Sequence, residues 1–150
     1  MRACARRAER RGALPNAVFV VAAVESLPHD LDAVADRISV TFPWGSLLRG
    51  LTEPHGPILE AIRRISAHGA SIDVMWSVTP ADGMPGVDDP RTVDEAFRMS
   101  GFDVQEFRLA TPEEIQGTHS SWAKRLGAVR DRPAHLLRAG APGSPDGRRA

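Results

Sequence analysis

A chain of 150 residues, 42% of them hydrophobic and 25% charged, has the material for one modest globular domain with a core. Lys+Arg and Asp+Glu both number 19, so net charge selects no partner, and the single cysteine, Cys4, excludes a disulfide framework and a cysteine-based metal site. No apolar run approaches the roughly 20 residues of a membrane span, and the arginine-rich start lacks the apolar core of a signal peptide, so a soluble cytoplasmic protein is expected.

The charge is unevenly spread. Residues 1–13 carry five arginines and one glutamate, a balance of +4. Residues 81–115 carry nine acids and three arginines, a balance of −6, and residues 119–150 seven bases and two acids, a balance of +5. Two basic ends around an acidic middle make either a polar surface field or merely solvated faces and loose ends.

Residues 1–11 are rich in alanine and arginine, with no breaker before Gly12, and predict a helix that starts without an N-cap. Ala17–Ala23 is a continuous apolar, β-branched run, the pattern of a strand buried on both faces. Residues 29–36 read as a polar connection with Leu31 and Val34 turned inward. Ile38–Phe42 is the next strand, and it breaks at Pro43-Trp44-Gly45-Ser46. Pro57 to His68 predicts a helix, with proline in its first turn, Gly69 at its end, and Ile58, Leu59, Ile62 and Ile65 on one face. His68 beside Gly69 fits a helix C-terminus.

Ser71–Val78 alternates as a strand, with Ile72, Val74, Trp76 and Val78 inward. Pro80–Pro90 is a loop whose acids read as solvation. A helix over 93–100 is predicted from a Thr92/Glu95 capping box, with Gly101 as its stop. Val104–Leu109 is a strand, Thr111-Pro112-Glu113-Glu114 a second capping box, 117–132 a polar insertion, and 133–139 the last strand. Strands alternating with helices give an α/β fold: a partial doubly wound, Rossmann-like sheet, mostly parallel with an antiparallel last strand. Residues 1–140 form the domain, and 141–150 are a tail expected to be disordered.

Trp44 and Trp122 lie outside apolar runs, whereas Trp76 lies in one and belongs to the core. Each loop tryptophan either caps the core edge or, facing the other across the carboxyl end of the sheet, holds a planar ring by stacking. Lys124, Arg125, Arg130 and Arg132 follow Trp122, as a solvated loop or as charge for phosphates beside a ring for a base. Glu25 is either a ligand contact or an exposed strand-end acid. The five histidines show no metal-ligand spacing and no Ser/His/Asp grouping, no carboxylate pair stands out, and no glycine-rich phosphate loop of the usual spacing occurs.

Four stretches carry a resemblance: Leu14-Pro15-Asn16, Ala22-Ala23-Val24-Glu25-Ser26-Leu27-Pro28, Phe42-Pro43-Trp44-Gly45-Ser46-Leu47-Leu48 and Ser120-Ser121-Trp122-Ala123-Lys124-Arg125-Leu126, with Arg130 and Arg132 as a following basic pair. In these the chain resembles the aminoglycoside-resistance 16S ribosomal RNA methyltransferases that modify an adenine N1 and have the class I S-adenosylmethionine-dependent fold. The resemblance implies that Trp44 and Trp122 stack on a flipped adenine. It implies that Ala23, Val24 and Thr41 border the adenine of the donor S-adenosylmethionine, with Glu25 at the pocket edge and Ser46 and Ser120 setting donor and tryptophans. Lys124, Arg125, Arg130 and Arg132 would then meet phosphates of 16S rRNA in the 30S subunit, the protein acting as a monomer without a metal.

Adenine N1 carries an in-plane lone pair, so this chemistry needs orientation and base extrusion rather than an acid/base pair. The family's glycine-rich motif and the acid closing its second strand would precede residue 1. The 150 residues alone are therefore expected to bind donor weakly or not at all. A non-catalytic RNA-binding module and a functionless remnant are the alternatives.

Overall fold

The computed structural model describes residues 17, 20–84, 86–87, 89–121, 123 and 132–143. Its strands are β1 (Ala35–Thr41), β2 (Ser66–Trp76), β3 (Asp103–Leu109) and β4 (His135–Gly140), joined in one sheet in the order β1-β2-β4-β3. β1 and β2 are parallel, and β4 lies antiparallel between β2 and β3. Three strands thus share one direction and the last opposes them, as expected of a mostly parallel sheet with an antiparallel last strand.

A parallel pair needs a crossover. Helices α1 (Ser46–Gly50) and α2 (Pro57–Ile65) supply it between β1 and β2, and α3 (Pro90–Met99) follows β2. A fourth helix, α4 (Pro112–Gly117), follows β3 and starts on the expected capping box: Thr111 Oγ1 accepts from the Glu114 amide, and the Glu114 carboxylate accepts from the Thr111 amide.

Sheet register decides which side chains are buried. Ile72 pairs with Ile38 and Ala139, and Val74 with Val40 and Leu137. These share one face, where Leu48, Leu51, Ile58, Leu59 and Ile62 of the α1–α2 region and Val93, Ala96 and Phe97 of α3 close a single core. Trp76 is 2% exposed there, and its indole N–H donates to Val87 O at 3.2 Å.

Several expectations are corrected. The run 17–23 is not a strand at its described residues: 17 and 20–23 are non-strand, and Val20 and Val21 are 54% and 71% exposed. An extended segment needs a neighbour to take its backbone hydrogen bonds. Among the described residues the sheet ends at β1, and nothing pairs with this run. Short 3₁₀ turns at Val24–Ser26 and His29–Leu31 follow, and Val34 points outward at 57% exposure.

α2 stops at Ile65 instead of His68, because Ser66 turns extended while its hydroxyl donates to Ile62 O at 2.7 Å. Gly69 is no helix cap. It sits within β2 at φ +73, its N–H donating to Pro142 O, and His68 lies in the same strand. α3 is capped by Asp89, not by Thr92 with Glu95: the Asp89 carboxylate accepts from the Arg91 amide and the Thr92 hydroxyl, with Pro90 as first residue. The predicted helix at 1–11 lies outside the described residues.

The other sheet face is polar. Arg37 reaches Asp73 at 2.6 Å, Arg138 lies 3.6 Å from Asp73 and 2.6 Å from Glu106, and Arg108 pairs with Glu106 at 2.7 Å. Arg108 also forks onto both Glu114 oxygens at 2.7 Å. Hydrogen bonds from Arg108 first, and then from the Thr111 amide, pull the Glu114 carboxyl down to about 2. An open cleft of about 370 Å³ on this face has Met75 and Leu136 at its floor.

Candidate nucleic-acid interface at the carboxyl end of the sheet

Because β1, β2 and β3 point the same way, the segments that leave them gather at one end, where ligands bind in open α/β sheets. The first is the turn after β1. The Phe42 amide still donates to Met75 O at 2.6 Å, but Phe42 itself adopts φ +50. Gly45 follows at φ 61, ψ −128, a conformation open essentially to glycine alone. Buried Pro43 and the α1 side chain Leu48, 1% exposed, pin the turn on both sides. Between them Trp44 is pushed outward and is 49% exposed.

The second segment leaves β2. Ser77 Oγ donates to Pro133 O at 2.7 Å and accepts from Arg132 Nε at 3.2 Å. Asp82, from the loop read in sequence as mere solvation, accepts on one oxygen from the Thr79 amide, the Thr79 hydroxyl and Arg132 Nη2, at 2.7, 3.0 and 2.6 Å. The Thr79 amide foremost, with its hydroxyl and the Arg132 charge, holds this carboxyl below its usual range against the opposing effect of burial. The spacing Thr79-x-x-Asp82 just after a strand marks the local turn but carries no sign of Arg132. The third segment is the run into β4, tied to the end of β3 by Ala110 N–H to Ala134 O at 2.8 Å. It carries Arg132, whose guanidinium carbon lies 5.7 Å from the centre of the Trp44 ring.

The expected site residues divide as follows. Trp44, Thr41, Ser46 and Arg132 stand at this end of the sheet. Thr41 closes β1 and lines the polar cleft, and Ser46 begins α1, exposed. Arg132 faces Asp82, Ser77 and Trp44. Ser120 follows the turn after α4, its amide donating to Thr118 Oγ1 at 3.3 Å. Ala23, Val24 and Glu25 lie on or beside the 3₁₀ turn 24–26, which packs against α2, where Arg64 Nη2 donates to Leu27 O. Val24 touches the core, while Ala23 and Glu25 are exposed. Trp122, Lys124, Arg125 and Arg130 lie outside the described residues, so the facing of the two tryptophans does too.

Residues 1–141 match the family model NpmA, described as 16S rRNA (adenine(1408)-N(1))-methyltransferase. The chain belongs to this family. It is 31% identical to the 16S rRNA (adenine(1408)-N(1))-methyltransferase of Escherichia coli and 32% identical to that of Streptoalloteichus tenebrarius. In these comparisons 81% of the chain covers 61% and 60% of those proteins, so it spans about three fifths of their length. Among solved structures, a tryptophan-to-alanine mutant of the Catenulisporales acidiphilia enzyme with cosubstrate SAM superposes at TM-score 0.78 with 29% identity, over 97% of this chain and 72% of that one. The 16S rRNA methyltransferase KamB superposes at 0.80 with 26% identity, over 95% and 72%. The α/β fold of this NpmA-family chain is therefore that of the methyltransferases it resembled in sequence.

Proposed function

We propose that this NpmA-family chain takes part in S-adenosylmethionine-dependent methylation of adenine N1 in 16S rRNA, of the aminoglycoside-resistance type, with Trp44 as a stacking surface for the target base. One observation carries the reading. In a chain matched to the family over residues 1–141, Trp44 is the half-exposed aromatic at the carboxyl end of a parallel strand, held out by a glycine-only turn.

The donor supplies an electrophilic methyl group on sulfonium. Its adenosine end needs hydrogen-bonding edges and apolar borders. The hydroxyls of Thr41 and Ser46, the exposed Glu25 carboxylate and the small apolar Ala23 and Val24 fit that chemistry, with Ser120 near the turn after α4. The rest of the task falls to orientation. The N1 lone pair forms the new N–C bond as the S–C bond breaks, and no proton leaves the base first. A ring that stacks on the extruded adenine keeps N1 in line. Trp122 would be the second jaw, and Lys124, Arg125, Arg130 and Arg132 contacts to rRNA phosphates of the 30S subunit. We read the protein as a cytoplasmic monomer; among the described residues no helix is long and apolar enough to cross a membrane.

The test is transfer of tritiated methyl from S-adenosylmethionine to 30S subunits. Transfer that disappears in Trp44→Ala, with a donor requirement above the micromolar range, is expected. Unlabelled subunits at saturating donor, with RNA binding retained, would instead favour the non-catalytic RNA-binding reading.

A further inference from the structure

Three segments distant in sequence meet at Arg132. The loop after β2 brings Asp82, the run into β4 brings Arg132 itself, and the turn after β1 brings Trp44. Asp82 is held independently of Arg132, because the Thr79 amide and hydroxyl bind the same carboxylate oxygen. Arg132 is then held along its fork: Nε on Ser77 Oγ, and Nη2 on Asp82 at 2.6 Å and near Ser77 O at 3.4 Å. The arginine side chain is 23% exposed and the aspartate 15%, so the pair is shielded on most sides. The guanidinium plane cannot swing freely, and it stands 5.7 Å from the centre of the Trp44 ring. A cation set over an indole is attracted by the ring's π-electrons and restricts the ring's rotation. The Trp44 backbone lies between Phe42 at positive φ and a glycine-only turn, which leaves the side-chain torsions as its remaining freedom.

We propose that Asp82 is a positioning residue for Trp44, acting through Arg132, so that the exposed part of the indole is aimed before a base arrives. The proposal deepens the reading of Trp44 as a stacking surface and rests on it for the ligand, though not for the geometry. Presetting the ring lowers the ordering cost of stacking. Arg132 is thereby a brace for the ring as well as a cation beside it.

The test uses the full chain labelled with 5-fluorotryptophan, which gives one fluorine resonance for each of its three tryptophans. The Trp44 signal is assigned by Trp44→Phe. Asp82→Asn and Arg132→Gln should each shift or broaden that signal while leaving the core Trp76 signal in place, and Asp82→Glu should restore it in part. The double variant Asp82→Asn/Arg132→Gln should move it no further than Arg132→Gln alone. Titration with adenosine monophosphate should show affinity about twofold to fivefold lower in both single variants, the scale of one exposed cation–π contact. An unmoved Trp44 signal in both single variants, additive shifts in the double variant, or a Trp76 signal lost with that of Trp44 would overturn the proposal. A Trp44 signal that depends on Asp82 but ignores the nucleotide would support the positioning and overturn the base-stacking reading instead.

Discussion

The two faces of the sheet are built on opposite principles. On the helix-covered face, Ile72, Val74 and Leu137 are at most 1% exposed and belong to one apolar cluster with Leu59, Val93 and Phe97. On the other face, the same strands in the same register carry Arg37, Asp73, Arg138, Glu106 and Arg108, chained by ion pairs and closed by Glu114 of α4. Burial of apolar surface holds the first face, an effect insensitive to pH and little screened by salt. Partly exposed ion pairs hold the second, and these are individually weak and screened. One register thus yields a stable scaffold on one side and a tunable polar surface on the other.

The largest effects are expected in the core. Phe97→Ala removes a ring 1% exposed that packs tilted against Phe102, centroids 5.7 Å apart. It should cost about 3–5 kcal/mol, read as a large fall in denaturant midpoint at every pH. Gly50→Ala is next: a Cβ there would lie 2.4 Å from Ile58 Cγ1, where α1 meets α2. Overpacking of this kind costs about 1–3 kcal/mol, visible in the same titration.

The polar face gives the smallest effect and a different signature. The Glu114 carboxyl is lowered from 4.5 to about 2, and those of Glu106, Asp82, Asp89 and Asp32 are lowered too. A depressed folded-state value means that the stabilisation is present above the unfolded-state value and is lost as pH falls through the folded one. Melting temperature should therefore drop as pH falls from about 4.5 towards 2. Arg108→Gln should flatten that drop and lower the melting temperature slightly at neutral pH. An unchanged pH slope would show that the network contributes nothing.

The sequence carried the helix-covered face plainly, because its residues recur at the periods of helices and strands: Ile58, Leu59 and Ile62 on α2, and Ile72, Val74 and Trp76 on β2. It carried the break at the Trp44 turn as well, since Pro43 and Gly45 end the β-branched run there, while leaving open whether the ring caps the core or stacks on a ligand. It did not carry the outcome at 17–23, because apolar composition marks a strand but cannot supply the neighbour that a strand needs. Nor did it separate Asp82 from the other loop acids. Asp82 acquires its role from Arg132, fifty residues away in the chain, and only the fold brings them within 2.6 Å. The same holds for the chain of charges: Asp73 reads as an ordinary outward residue until β4 brings Arg138 beside it.

Trp44 is the point at which scaffold and proposed chemistry meet, and its role is most directly tested by RNA affinity. The measurement compares the full chain with Trp44→Ala on a 16S rRNA hairpin containing the target adenine and on the same hairpin with that base removed. Trp44→Ala should weaken binding to the adenine hairpin by about fivefold to a hundredfold, the equivalent of one lost base stack. The two proteins should differ little on the abasic hairpin. Equal affinity of both proteins for the adenine hairpin would contradict that role.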